Sequence, residues 1–176
     1  PTGEASSTVT AFRDERVRRA LSIALDRTAL GFVDGAVTSG PVGPAFAGDA
    51  LPHIELEAHP LYLHSPEEAV ALLSAAGHGG LTFRLSHADS PVMLQIGQRM
   101  VEQFAAVGVT ARLITRPAVE FQTAFLAGDF DAAFVELERM SSPDIGLRLH
   151  TTGGLEGVRS PWGYSNPVYD AKVVET

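Results

Sequence analysis

The sequence predicts an α/β fold, and three observations in its middle carry the prediction. Leu81, Phe83 and Leu85 alternate with Thr82, Arg84 and Ser86, the period-two pattern of a half-buried strand. Ser90-Pro91 then opens a helix in which Met93, Ile96, Met100, Phe104 and Val107 make one apolar stripe, closed by Gly108. The unit repeats: a strand over 109–115, a helix from Pro117 to Gly128 with Phe121, Ala124 and Phe125 inward, and a third strand over 130–137. Strands alternating with helices across short joints argue for a βαβαβ parallel sheet core covered by helices, joined by right-handed crossovers.

The flanking segments follow the same logic. Residues 1–10 are small and polar without a period, and read as a frayed end. Val17, Ala20, Leu21, Ala24 and Leu25 then form an apolar stripe, with Glu15, Arg16, Arg18, Arg19 and Asp26 on the other face and Asp14 as N-cap. A short helix over 28–33 stops at Gly35. Pro41, Pro44, Pro52 and Pro60 break any period across 39–60, which predicts an irregular connection with room for one short strand. Ser65-Pro66-Glu67-Glu68 has the form of a capping box, and its helix runs through Val70, Leu73 and Ala76 to Gly77. Past Leu137, a helix over 143–149, a loop over 151–157 and a last helix from Asn166-Pro167 complete the chain.

Composition removes several classes of function. A chain of 176 residues with 45% apolar and 19% charged residues can bury a core. Its net charge of −8 argues against a nucleic acid or an anionic membrane surface as partner. No apolar run reaches the roughly 20 residues that span a bilayer, so no membrane insertion is expected of this segment. With no cysteine, disulfides, thiolate metal sites and cysteine nucleophiles are all excluded. Lys172 is the sole lysine among thirteen basic residues, a bias expected of a GC-rich genome, and it leaves little lysine chemistry to propose.

The motifs for cofactors and catalysis fail on context. His53, His59 and His64 lack the spacing of a metal site and read as solvated loop histidines. Gly77, Gly79 and Gly80 precede a strand, where a dinucleotide fingerprint would follow one. Thr151-Thr152-Gly153-Gly154 lacks the lysine of a phosphate loop, and no G-x-S-x-G elbow occurs. No cofactor, metal site or catalytic residue is therefore assigned. Glu136 and Glu138 stand two apart at the end of the third strand and so share one of its faces. Paired acids can do acid–base work, but the ends of parallel strands are also where α/β proteins hold ligands.

Several segments, in order, resemble one family. Asp14-Glu15-Arg16-Val17-Arg18-Arg19-Ala20-Leu21-Ser22-Ile23-Ala24-Leu25-Asp26-Arg27 is similar to the "D-x-R-V-R-x-A-L-x-x-A-I-D-R" helix of bacterial peptide/nickel extracytoplasmic solute-binding proteins, family 5. The Pro41-to-Pro44 connection follows. Ser65-Pro66-Glu67-Glu68-Ala69-Val70-Ala71-Leu72-Leu73-Ser74-Ala75-Ala76-Gly77 resembles their "D-x-x-K-A-x-x-L-L-x-x-A-G". Val107-Gly108-Val109, Gly128-Asp129-Phe130-Asp131 and a late Trp162-Gly163-Tyr164-Ser165-Asn166-Pro167-Val168-Tyr169-Asp170, similar to "G-Y-x-N-P-x-Y-D", continue the match.

The resemblance implies a periplasmic-binding-protein-like lobe. Residues 1–176 would be the second lobe of a two-lobe capture subunit, with the first lobe and the C-terminal return absent. The implied function is that of a non-enzymatic, extracytoplasmic substrate-binding component of an ABC importer. It would enclose an oligopeptide or similar small solute between lobes and deliver it to a membrane permease. A solute-sensing domain of the same fold fused to a transcription regulator is the alternative. In peptide binders of the family, a Trp and, three residues on, an Asp follow the third strand. Counted from Asp131, the Trp place is Leu137 and the Asp place Met140, or Arg139 with one residue deleted. An arginine there suits an anionic group on the ligand. The implied ligand surface is Glu136, Glu138, Arg139, Met140, Ser141 and Trp162.

Overall fold

A computed structural model describes residues 10–30, 42, 46, 48–136, 142–154 and 163–174. Asp14 caps the first helix as expected: its carboxylate accepts from the backbone N–H of Arg16 at 2.8 Å and opens α1 (Glu15–Ile23). A 3-10 turn (Thr10–Arg13) precedes it and buries Phe12. Asp26 does not sit on the polar face of α1. It accepts from Ala29 N at 3.1 Å and starts the single turn α2 (Arg27–Leu30).

The irregular connection contains a helix, α3 (His53–Ala58), where a strand had room. Pro52 stands before its first residue, and the turn after it is tied to α1 by the Ser22 hydroxyl, which donates to Leu61 O at 2.7 Å. Next, α4 (Pro66–Ala75) packs against α1. Its buried stripe is Ala69 and Leu73, with Leu72 and Ala76 partly buried, and Val70 faces solvent. The capping box does not form, because Ser65 makes no side-chain cap bond and Glu68 instead pairs with Arg19 of α1 at 2.8 Å. The link between α1 and α4 took the carboxylate that a local cap needed.

The central unit is β1 (Thr82–Ala88), α5 (Pro91–Ala106), β2 (Thr110–Arg116), α6 (Ala118–Ala127) and β3 (Ala132–Ala133). The strands are parallel, in the order β2-β1-β3. Register pairs Phe83 with Ala111, Leu85 with Leu113 and His87 with Thr115, so these six share one face. That face meets α5, whose approach depends on Gly97: a Cβ there would stand 2.6 Å from Leu113 Cδ1 and 3.1 Å from Phe134 Cζ. Edge-on contacts of Phe83 with Phe12 (5.3 Å) and Phe104 (5.6 Å) join the sheet to both ends of the core. Each such fully buried side chain contributes about 1.5–3 kcal/mol of transfer free energy.

The opposite face carries Arg84 and Arg116, which meet Asp129 just past α6. There Phe121, Phe125 and Phe130 stack in sequence at 5.8 and 5.3 Å. The third strand is shorter than its alternation predicts. Its ladder covers two residues, and Phe134 N adds one bond to Ser86 O at 3.1 Å. Finally α7 (Pro143–Arg148) packs on α8 (Pro167–Val174). Asn166 caps α8 by accepting from Val168 N and Tyr169 N. Asp170 then reaches back to accept from Thr152 N at 3.0 Å.

Candidate functional site

A sheet ordered β2-β1-β3 reverses direction between β1 and β3, and ligands of open α/β sheets bind beyond the C-terminal strand ends at that reversal. Here the reversal is built from His87 and Ala88 on one side and Phe134, Val135 and Glu136 on the other. His87 is fully buried; its ring stacks on Phe134 with centroids 5.1 Å apart and planes 22° apart. Ala88 and Arg116 close the β1–β2 ladder, and Asp89 N continues it to Arg116 O at 2.7 Å.

Of the six residues predicted for the ligand surface, the structure describes one. Glu136 is exposed and lies three residues beyond the end of β3 at Ala133. Glu138, Arg139, Met140, Ser141 and Trp162 fall outside the described residues. The segments that carry them join onto described anchors. Ser142 donates to Asp144, and Arg148 holds the other oxygen of the same carboxylate at 3.0 Å. Both hold the Asp144 carboxyl below the usual range, the Ser142 bond more strongly. The Tyr169 hydroxyl donates to Leu147 O at 2.9 Å, and its partial burial pushes the phenol's pKa up. Tyr164, edge-on to Tyr169, accepts from Asn166 Nδ2 at 2.9 Å.

The Gly128-Asp129-Phe130-Asp131 segment proves to be an anchor for the sheet. Gly128 ends α6 in the left-handed conformation at φ 73°. Asp129 accepts from Arg84 Nη1 (3.3 Å) and Arg116 Nη2 (3.0 Å). Asp131 is buried and takes both the backbone N–H and the guanidinium of Arg84. The Asp131 bond is the main reason Arg84 holds its proton more tightly than a free arginine.

Two features of the site escaped sequence reasoning. His87 continues the inward period of Phe83 and Leu85 by one step, so its burial was legible in the alternation. Gly97 carries no signal of its own in the helical pattern, and only the distance to Leu113 reveals its close contact. Among the described residues, no three His, Asp or Glu side chains converge as a metal site would require. No helix among them is long and apolar enough to cross a membrane.

The parallel strand order and the helices on both faces define an α/β sheet fold. Residues 5–150 match the family described as "Bacterial extracellular solute-binding proteins, family 5 Middle", and the chain belongs to that family. No curated protein matches it. Among solved structures it is similar to a periplasmic oligopeptide-binding protein of Borrelia burgdorferi (TM-score 0.79, 18% identity, 97% of this chain and 35% of that one). It is also similar to DppA of Helicobacter pylori in complex with the peptide STSA (0.75, 16%, 97% and 34%). A third is NikZ of Campylobacter jejuni in complex with Ni(L-His) (0.69, 18%, 95% and 36%). These superpositions establish a shared periplasmic-binding-protein-like fold. The chain spans about a third of the length of each neighbour.

Proposed function

We propose that the chain is the second lobe of a two-lobe solute-binding protein. That protein captures an oligopeptide or similar small solute outside the cytoplasm and hands it to the permease of an ABC importer. No bond is made or broken; the work is capture, closure and presentation. The observation that carries the reading is the family match across 5–150, on a sheet whose order turns between β1 and β3, where open α/β sheets hold ligands. The likeness to peptide complexes such as that of DppA favours a peptide over a metal complex.

In this reading the ligand wall is Glu136, Glu138, Arg139, Met140, Ser141 and Trp162. Trp162 stacks on the solute, and Arg139 receives an anionic group where peptide binders of the family carry an acid. One lobe offers half of an inter-lobe pocket, so the chain alone binds weakly and the two-lobe protein binds well.

The test is native mass spectrometry of the full-length protein from its own host, followed by identification of what it releases on denaturation. Families of related peptide masses support the reading. A nickel complex would replace peptide with metal as cargo, and a single non-peptide anion would move the weight to Arg139. Full-length protein that carries and binds no small solute sinks the proposal.

A further inference from the structure

His87 lies one residue before the end of the central strand, fully buried, and the ligand reading above makes no use of it. Its Nδ1 stands 2.8 Å from Ala88 O and its Nε2 2.9 Å from Thr115 Oγ1. A carbonyl oxygen only accepts, so the Nδ1 contact requires the ring hydrogen on Nδ1. In the uncharged ring Nε2 then holds a lone pair, and the Thr115 hydroxyl must donate to it. Thr115 is exposed on β2, directly opposite His87 in register. Its one hydrogen is committed inward, so its oxygen offers only lone pairs to whatever approaches from solvent. An unconstrained threonine could donate or accept there.

We propose that His87 is a positioning residue that holds Thr115 Oγ1 as a hydrogen-bond acceptor for an N–H donor of the ligand, an amide or an ammonium. The same ring stacks on Phe134, two residues before Glu136. One buried side chain thus ties the ends of β2 and β3 across β1, a span of about 10 Å at ordinary strand spacing. An acceptor hydroxyl then stands on one flank and the Glu136 carboxylate on the other. Both favour a ligand rich in N–H groups, which deepens the peptide reading and rests on it.

The experiment uses the full-length protein containing this chain, labelled with 15N-histidine, with trialanine as probe. The ring nitrogen shifts of His87 are expected to place one hydrogen, on Nδ1; a hydrogen on Nε2, alone or together with Nδ1, overturns the proposal. Thr115→Val, a near-isosteric change on an exposed edge strand, should weaken trialanine about five- to tenfold, the loss of one hydrogen bond. Thr115→Ser should stay within about twofold, because it keeps the hydroxyl. His87→Gln, whose amide reaches the place of Nε2, should retain more affinity than His87→Phe at matched melting temperature. Wild-type binding with no loss in Thr115→Val refutes the acceptor role while sparing the peptide reading. Wild-type protein that binds neither trialanine nor a mixed peptide digest refutes the peptide reading, and with it the donor assigned to Thr115.

Discussion

Asp131 accepts the backbone N–H of Arg84 at 2.8 Å and holds the same residue's guanidinium at 3.2 Å. Arg84 N–H faces the side where β3 pairs, but β3 begins only at Ala132, so no backbone carbonyl meets it there. A side-chain carboxylate completes the ladder one residue early. Asp131→Ala would leave that buried donor unpaired and the Arg84 guanidinium with Asp129 as its carboxylate, at a cost of about 1–3 kcal/mol. Asp131→Asn keeps an acceptor for the N–H and should cost about half as much. Urea unfolding of both variants measures this, and equal losses would show that the backbone bond is irrelevant.

Gly97 is a helix-interior glycine whose replacement by alanine should on propensity alone gain about 0.5–1 kcal/mol. The contact with the end of the Leu113 side chain offsets that gain, so Gly97→Ala is expected to leave stability unchanged or lower it by up to about 1 kcal/mol. Adding Leu113→Ala makes room, so the double variant should lose less than the sum of the two single losses. Additive losses in the double-mutant cycle would refute the contact.

Three described serines, Ser65, Ser90 and Ser142, precede helices with proline at the first position, and only Ser90 caps. Ser90 Oγ accepts from Met93 N at 3.1 Å, whereas Ser65 makes no such bond. Ser90→Ala should cost about 1 kcal/mol and Ser65→Ala less than about 0.5 kcal/mol. The reverse order in thermal melts would mean that the capping box forms in solution.

The Arg16 guanidinium and backbone N–H hold the Asp14 carboxyl down from 3.8 to about 2. A carboxyl lowered in the folded state stabilises it fully above the unfolded value, and the benefit fades as pH falls from 3.8 towards about 2. Carbon-detected NMR titration should find Asp14 ionised at pH 3, and Asp14→Asn should flatten the stability slope in that window. An Asp14 midpoint near 3.8 would remove the effect.

Tyr169 and Leu147 join α8 to α7 through one hydrogen bond. Tyr169→Phe should cost about 0.5–1.5 kcal/mol and speed amide exchange in α7 while leaving β1 unchanged. Exchange that accelerates equally in both would show one cooperative unit and no separate latch.

Period and punctuation determined a great deal by themselves. The alternation around Phe83 and Leu85, the stripe from Met93 to Val107 and the stops at Gly108 and Gly128 are local signals, because strand and helix each impose their own repeat on the chain. The order of those elements was enough to predict a parallel sheet, and the ordered motifs enough to suggest the family. Tertiary structure decided matters in which distant residues compete for one group. Glu68 left its local cap for Arg19, a residue 49 positions away. Strand β3 ended at Ala133 although alternation allowed more, since its pairing depends on what β1 offers across the sheet. Gly97 and the His87–Thr115 pair belong to the same kind. Their meaning lies in distances between segments that no period along the chain encodes.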